Sequence, residues 1–306
     1  MVEGILCESL TKVYSGSKGR KALDEVSFNI PSSGVFSLIG MNGAGKTTLV
    51  RILATQLQPS SGRASVNGFD VMKDASRLRD RIACVPQEAR TAPFMTPKET
   101  VLSYLLWRGM GYGEASKKAV EALAKVGLAD QVDVVNRKLS GGTRRKVLVA
   151  TVLSSGADVI FLDEPTTGLD PISRRELWKL LTSLAKDRFV ILTTHYLEEA
   201  EQLANTIGIL HRGKLIGLGT LDQLRASVRF EYSLMMPSAQ DVPSVRDGEV
   251  TVGVAGQTQI LTNELEAREI SKSLLEKGTK FSMSRISLDD VFFRLVHGAG
   301  EEVDRA

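Results

Sequence analysis

A glycine-rich segment, GMNGAGKTT, has residue types and a spacing that suit phosphate binding. From Gly40 to Thr47 it matches G-x-x-x-x-G-K-[ST], between the apolar run VFSLI and the helix-like TLVRILATQL. Glycines let backbone N–H groups turn inward around phosphate oxygens, and the following helix start adds a favourable dipole. Lys46 can then reach the β and γ phosphates, and the Thr47 hydroxyl can bind Mg²⁺. The predicted nucleotide contacts are Gly40, Asn42, Gly43, Ala44, Gly45, Lys46, Thr47 and Thr48.

Two adjacent carboxylates, Asp163 and Glu164, follow the apolar run VIFL. Beside a phosphate loop, an aspartate at the end of a strand can hold the metal ion and stay ionised. Glu164, one residue later, can accept a hydrogen bond from the attacking water and act as general base or orient that water. Alone, such a pair is more often a solubility feature of a strand end. The phosphate loop upstream favours the catalytic interpretation.

A second segment suited to an anion is KLSGGTRRKV, Lys138 to Val147. Ser140 offers a hydroxyl, while Gly141 and Gly142 allow close backbone approach. A helix that begins near Thr143 would direct its dipole and free N–H groups outward at the anion. Without the other motifs, a loop that only caps a helix would be the better interpretation.

Short apolar runs alternate with amphipathic segments between residues 35 and 215, which predicts a parallel sheet covered by helices on both faces. EVSFNIPSSG and GILCESLTKVY alternate like antiparallel strands, so we expect an antiparallel flank. Residues from about 95 to 135 have a helical pattern throughout. With the phosphate loop, the prediction is an α/β nucleotide-binding domain over 1–225, with a P-loop NTPase core and a helical subdomain over about 88–142.

The pattern changes near residue 225. RFEYSLMMP, EVTVGVAG, TQILT and KFSMSRIS are strand-like, NELEAREISKSLLEKG is an amphipathic helix that ends in glycine, and LDDVFFRLV is a second helix. We therefore predict a small α+β C-terminal domain over 226–306.

Length and composition are those of a soluble globular protein: 306 residues, 42% of them apolar and 25% charged. The net charge of +3 is too small to imply general nucleic-acid binding, so no nucleic-acid partner is expected. Cys7 and Cys84 lack metal-binding spacing and fit a reducing compartment. Because there is no secretion signal and no run of roughly 18 apolar residues, we expect a cytoplasmic chain that reaches a membrane only through a partner.

The order of these motifs, with LSGGT between the phosphate loop and FLDEP, resembles the ABC-type ATPase family. In that family, two ATP-binding domains meet head to tail, and the signature segment of one closes over the γ-phosphate held by the other. The resemblance implies ATP and Mg²⁺ as cofactors, and a second ATP-binding subunit whose bound ATP contacts Ser140, Gly141 and Gly142. Thr143 departs from the family's usual glutamine, and the sequence gives this side chain no role.

Further matches cover nearly all of residues 1–225. By resemblance, Gln87 in VPQEA senses Mg²⁺ and the γ-phosphate; without the other motifs, it would be a surface glutamine. Asp170 in TTGLDP crosses the dimer contact by the same resemblance; otherwise it would be a turn residue that caps a helix. His195 ends an apolar strand at the position of the family's switch histidine, which contacts the γ-phosphate. Tyr14 matches the aromatic residue that stacks on adenine, although an early-strand tyrosine is commonly a core residue.

The ending SRISLDDVFFRLV resembles the tail of exporter-type ATPase subunits of the daunorubicin-resistance kind, which pair with a separate membrane permease. This resemblance favours export and a peripheral position on the inner face of the cell membrane. TAPFMTPKETVLSYLLW, with Phe94 and Met95, corresponds to the segment that receives the permease; alternatively, these two residues cap the helical subdomain's own core. A soluble ABC-type ATPase acting on ribosomes or DNA and an importer subunit are the alternatives. The sequence identifies neither the transported substrate nor whether the pair is a homodimer or a heterodimer.

Overall fold

The computed structural model describes residues 4–15, 19–237, 242–252 and 257–303. The chain divides into two compact units, Met1–Leu215 and Ile216–Ala306. This division lies N-terminal to the boundary predicted after residue 225, and the predicted domain limits stay a prediction.

The first unit alternates strands and helices along most of its length. Its strands are β1 (Gly4–Tyr14), β2 (Arg20–Pro31), β3 (Val35–Ile39), β4 (Ser61–Val66), β5 (Phe69–Asp70), β6 (Ile82–Val85), β7 (Val159–Asp163), β8 (Phe189–Thr194) and β9 (Thr206–His211), and the division of the chain falls within β10 (Lys214–Gly219). Its helices are α1 (Lys46–Leu53), α2 (Ala75–Arg81), α3 (Pro97–Trp107), α4 (Tyr112–Lys125), α5 (Gly141–Ser154), α6 (Pro171–Leu184) and α7 (Leu197–Leu203).

A six-stranded sheet in the order β10-β9-β3-β8-β7-β6 forms the centre, and the pairs from β9 to β6 are parallel. Every residue of β3, β7 and β8 is buried. Strands covered on both faces need continuous apolar runs rather than alternation, which is what VFSLI, VIFLD and FVILTT supply. Since parallel strands end at the same edge, the residues after β3, β7 and β8 are brought together there.

An antiparallel sheet in the order β2-β1-β4-β5 packs on α1. Side chains along the second half of β2 alternate between buried and exposed, as expected when only one face is covered. Phe28 of β2, Leu49 and Ile52 of α1, and Phe161 of β7 belong to one hydrophobic cluster. The predicted parallel core with an antiparallel flank is confirmed.

The segment predicted to be helical throughout, about 95–135, contains two helices and one short 3₁₀ turn, Ala129–Gln131. The capping box of Thr96 and Glu99 starts α3, with Pro97 in the first turn. Gly109, at φ 86°, separates α3 from α4, and Gly127, at φ 75°, follows α4. The helical pattern therefore predicts these helices, while the glycines between them place the breaks.

The second unit contains a sheet in the order β12-β13-β11-β14. Its described elements are α8 (Leu221–Ala226), β11 (Tyr232–Met236), β12 (Gly248–Val252), β13 (Thr258–Thr262), α9 (Glu264–Glu276), β14 (Ser282–Arg285) and α10 (Leu288–Val303). Leu234 and Ile260 of the sheet pack against Ile270 and Leu274 of α9. The predicted small α+β arrangement is confirmed, although residues 253–256 of EVTVGVAG lie outside the described residues.

Both cysteines are expected to resist alkylation in the folded protein. Burial raises the pKa of the Cys84 thiol to about 12 and that of Cys7 still further. At pH 8, only about one Cys84 in ten thousand is then the reactive thiolate. Mass spectrometry after brief iodoacetamide treatment should show less than one modification per native chain and two after unfolding in guanidinium. Rapid native labelling of either cysteine would contradict this prediction.

Candidate functional site

The phosphate loop joins β3 to α1 and depends on glycines at its tightest points. Gly40, Gly43 and Gly45 have φ values of 157°, 82° and 112°. A Cβ at Gly40 would lie 2.3 Å from the Leu210 carbonyl oxygen, and one at Gly45 would lie 2.4 Å from that of Ala22. Any larger residue at either position would therefore force the loop open.

Lys46 is buried in this loop, with 5% of its surface exposed. Its Nζ donates to the carbonyl oxygens of Gly40 at 2.7 Å and Met41 at 3.3 Å, and lies 3.8 Å from Glu164 Oε1. Burial lowers the pKa of Lys46, while Glu164 and Asp163 oppose that shift. An ammonium group held this way can exchange these carbonyls for phosphate oxygens without first being desolvated.

Asp163, the last residue of β7, lies beside the first turn of α1. Its Oδ1 accepts a hydrogen bond from Thr47 Oγ1 at 3.3 Å and another from Thr193 Oγ1 of β8. A carboxylate and a hydroxyl oxygen side by side at the phosphate loop are ligands that suit Mg²⁺. The described residues contain no cluster of three His, Cys, Asp or Glu.

Glu164 has a backbone conformation that residues other than glycine seldom adopt, with φ 49°. Such a conformation costs roughly 1–3 kcal/mol and persists only where neighbouring groups hold it. The Glu164 N–H donates to the Thr193 carbonyl at 3.1 Å and to Thr193 Oγ1 at 3.0 Å. The strain directs a carboxylate that is only 6% exposed toward the phosphate loop.

The three predicted catalytic residues meet at one oxygen of this carboxylate. Glu164 Oε2 accepts from Gln87 Nε2 at 3.1 Å and from Thr167 Oγ1 at 3.1 Å. His195 Nδ1 lies 3.2 Å from the same oxygen, without the alignment of a hydrogen bond. These residues come from three separate segments, after β6, β7 and β8, so the fold assembles a site that can hold a water against a phosphate.

A cavity of about 380 Å³ is lined by the phosphate loop, Glu164 and Gln87. Tyr14, 40% exposed, lines this cavity, its hydroxyl lies 3.4 Å from Thr48 Oγ1, and Lys12 Nζ lies 5.6 Å from the centroid of its ring. Arg20 pairs with Tyr14 across β1 and β2 and donates to the Gly43 carbonyl at 3.3 Å. The sequence analysis does not single out Arg20; the hairpin register would have placed it opposite Tyr14.

The signature segment, LSGGT from Leu139 to Thr143, forms the N-terminal cap of α5. Ser140 Oγ accepts from the Thr143 N–H at 3.1 Å, and the two hydroxyls lie 2.9 Å apart. Thr143, which the sequence left unexplained, is therefore the partner that holds the Ser140 hydroxyl. Among the described residues, no signature side chain lines the phosphate-loop cavity.

Asp170 forms the N-terminal cap of α6. It accepts from the N–H groups of Ile172 and Ser173, each at 3.0 Å, and from Ser173 Oγ at 2.6 Å. The hydrogen bonds from Ser173 lower the pKa of Asp170. A Cβ at Gly142 would lie 2.8 Å from Ser173 Oγ, so glycine lets α5 approach this cap closely. The predicted roles of Asp170 and Gly142 across a dimer stay predictions.

Two further residues that the sequence analysis did not identify support the carboxylates. Thr193 donates its hydroxyl hydrogen to Asp163 and accepts from the Glu164 N–H. Arg145, buried on α5, donates to the backbone carbonyls of Asp163, Glu164 and Pro165. A threonine in TTH and one arginine among several in TRRK carry no local signal for these contacts.

Comparison with known proteins is consistent with this geometry. The sequence model of the family described as ABC transporter matches residues 23–167. The daunorubicin/doxorubicin resistance ATP-binding protein DrrA of Streptomyces peucetius is 34% identical over 301 residues, covering 94% of this chain and 90% of that protein. The daunorubicin resistance ATP-binding protein DrrA3 of Streptomyces coeruleorubidus is 35% identical over 288 residues, covering 90% and 91%.

A solved structure resembles the first part of the chain. The dimeric post-hydrolysis state of the ATP-binding cassette MJ0796, bound to ADP and Pi, aligns with a TM-score of 0.65 and 25% identity. The alignment covers 71% of this chain and 98% of that one. Motifs, site geometry and relatives that match along almost their whole length agree, and this chain belongs to the family of ABC transporter ATP-binding proteins, which are ATPases.

Proposed function

We propose that two copies of this ATPase, or one copy and a similar subunit, close head to tail around two ATP molecules. In this arrangement, Ser140, Gly141 and Gly142 of each chain contact the γ-phosphate bound by the other. One observation carries the proposal: the phosphate-loop cavity is lined by Lys46 and Glu164, whereas among the described residues no signature residue lines it, and Gly141 lines a neighbouring cavity with Gln87 and Glu164. The dimeric form of the related cassette supports a paired unit.

Each of the predicted site residues then has a distinct role in hydrolysis. Lys46 neutralises the β and γ phosphates, and Tyr14 stacks on adenine. Gln87 and Thr167 donate hydrogen bonds to the Glu164 carboxylate and orient it. The carboxylate in turn accepts a hydrogen bond from the attacking water. His195 lies where it can contact the γ-phosphate and Glu164 together. Asp170 caps α6 at the surface that would meet the second chain.

The metal proposed for this site is Mg²⁺. Thr47 and Asp163, with Gln87, would hold it, because their oxygens adjoin the phosphate loop. When bound, the ion supplies charge neutralisation at the β and γ phosphates.

The proposed membrane partner is a separate permease. No helix formed by the described residues has the length and apolar character needed to cross a bilayer. A groove of about 920 Å³ lies between β6 and the C-terminal end of α3, and is lined by Trp107, which is 80% exposed. Arg108 in this groove donates to the carbonyls of Asp80 at 2.7 Å and Ile82 at 2.9 Å. A permease segment bound here would contact both the helical segment and the core strand.

The predicted docking segment is exposed at its first aromatic residue. Phe94 is 77% exposed, and its ring centroid lies 5.8 Å from Cζ of Arg137. Met95 is half-buried. Aromatic side chains are enriched in the buried cores of protein–protein interfaces. We place the permease over Phe94 and the Trp107 groove, which puts this chain on the inner face of the cell membrane.

Export is the favoured direction of transport. The two relatives named above are daunorubicin resistance proteins, and this chain covers about nine-tenths of each. Their similarity includes the C-terminal unit, which the sequence analysis linked to exporter subunits. These names also favour transport over action on ribosomes or DNA.

Copurification tests the partner. A tagged copy, expressed in the cells that naturally produce it and extracted from washed membranes in mild detergent, should recover a protein with several membrane-spanning helices. Trp107→Glu should lower that recovery at least fivefold without changing ATP hydrolysis in the absence of the permease, because a charge is placed in the groove. Val120→Glu, at a partly exposed site outside the groove, is the matched control. Recovery of ribosomal RNA or DNA at moderate salt instead would overturn the transport proposal.

A further inference from the structure

Arg145 is a buried cation whose hydrogen bonds all go to backbone. Only 8% of its surface is exposed. Its Nε donates to the Pro165 carbonyl at 2.8 Å, and its Nη2 donates to those of Asp163 at 3.1 Å and Glu164 at 3.0 Å. Burying a guanidinium without a hydrogen-bonded carboxylate is costly unless its donors are satisfied. Here three consecutive carbonyls accept from three of its five N–H donors.

These carbonyls flank the strained residue of the site. The peptide group before Glu164 is held from one side by Thr193, which accepts the Glu164 N–H, and from the other by Arg145 at the Asp163 carbonyl. The peptide group after Glu164 is held by Arg145 at the Glu164 carbonyl. Arg145 is thus the side chain that hydrogen-bonds to both peptide groups next to Glu164, the residue with a φ of 49°.

We infer that Arg145 is a positioning residue for hydrolysis, which fixes the backbone of Glu164 and thereby places its carboxylate against the attacking water. This inference rests on the role proposed for Glu164. It adds that the left-handed conformation of Glu164 is maintained from α5, outside the phosphate-loop cavity. A rotation of either peptide group would withdraw the carboxylate from Gln87, Thr167 and His195.

A different explanation is that Arg145 only attaches α5 to the core and so places Ser140 at the partner's ATP. The two explanations assign the effect of Arg145 to different sites of a dimer. A residue that positions its own Glu164 acts on the site that contains its own phosphate loop. A residue that positions Ser140 acts on the other site.

The first experiment compares Arg145→Met, Arg145→Lys and Arg188→Met. Arg188 is a matched control, because it is half-buried and donates at 3.0 Å to the Leu153 carbonyl near the far end of α5. Arg145→Met should lower kcat at least tenfold, while the Kd for a fluorescent ATP analogue stays within twofold. Arg145→Lys, which keeps the charge, should recover part of this loss. Arg188→Met should lower the unfolding temperature without lowering kcat.

Folding is checked by thermal unfolding of each variant, and Arg145→Lys keeps the test valid if Arg145→Met does not fold. The inference is wrong if both Arg145 variants keep kcat within twofold, or if Arg188→Met, at a similar loss of stability, lowers kcat as much as they do. Glu164→Gln separates the two proposals. If it abolishes turnover while the Arg145 variants are normal, only this inference fails; if it leaves turnover intact, the role of Glu164 and this inference fail together.

The second experiment assigns the effect to one chain. In a dimer of one Ser140→Arg chain and one Lys46→Ala chain, the proposed intact site takes its phosphate loop and Glu164 from the Ser140→Arg chain. Adding Arg145→Met to that chain should lower the remaining hydrolysis at least tenfold. Adding it to the Lys46→Ala chain should leave the hydrolysis within twofold. The opposite pattern would show that Arg145 acts through Ser140 and would overturn the inference.

Discussion

Replacing Glu164 with glutamine is expected to leave ATP bound while hydrolysis falls by about 10²- to 10⁴-fold, the usual contribution of a general base. The amide keeps the size of the side chain and its position among Gln87, Thr167 and His195. It cannot accept a proton from water. Equilibrium binding of a fluorescent ATP analogue and phosphate release under saturating ATP measure the two properties separately.

Glu198→Gln provides the control for this change, because Glu198 is exposed on α7, three residues after His195. It should alter neither binding nor turnover. Gel filtration should also show Glu164→Gln as an ATP-dependent dimer, since closure precedes cleavage in the proposed cycle. If Glu164→Gln kept hydrolysis within threefold of the unmodified chain, Glu164 would lose its catalytic role.

Mixing two inactive variants should restore activity if the sites are shared. Lys46→Ala removes the buried ammonium from the phosphate loop, and Ser140→Arg places a bulky cation at the start of α5. Each homodimer then lacks both intact sites, and we expect at least a hundredfold loss in each. A mixed dimer regains one intact site, so equimolar mixing should recover hydrolysis to roughly a quarter of the unmodified level, assuming random pairing and independent sites.

The measurement is phosphate release as a function of mixing ratio at constant total protein. The recovered rate should peak near equal amounts and vanish at either end. Thr182→Arg, on the exposed surface of α6, is a control for added charge and should be fully active alone. Full activity of the Ser140→Arg chain by itself would contradict the shared-site proposal, as would its failure to complement Lys46→Ala in a dimer shown to form.

The parts of the site that lie within one short segment could be predicted from the sequence. Gly40 to Thr47 form one continuous pattern that predicts the loop, although the backbone carbonyls that crowd its glycines belong to the distant residues Leu210 and Ala22. Asp163 and His195 follow apolar strands, and parallel strands bring such ends together. The fold class was predictable for the same reason, because buried parallel strands are recognisable one at a time.

Contacts between distant segments could not be predicted in this way. Gln87 and Glu164 are 77 residues apart, and Arg145 and Glu164 are 19 apart on different elements. Nothing in TRRK distinguishes the arginine that turns inward from its neighbours until the packing of α5 is known. Thr143 was unexplained because its partner, Ser140, had been assigned only to an outside ligand.

Helix α5 gives the proposed dimer a property that neither ATP site has alone. Its first residues would contact the ATP of the other chain, and Arg145, one turn further along, holds the backbone of its own catalytic glutamate. Five residues of helix span only about 7.5 Å, too short a length to bend appreciably. In the proposed dimer, the contact with one ATP and the glutamate that acts on the other are therefore carried by one short rigid segment, so the mixing experiment would report any coupling between the sites as a recovery below one quarter.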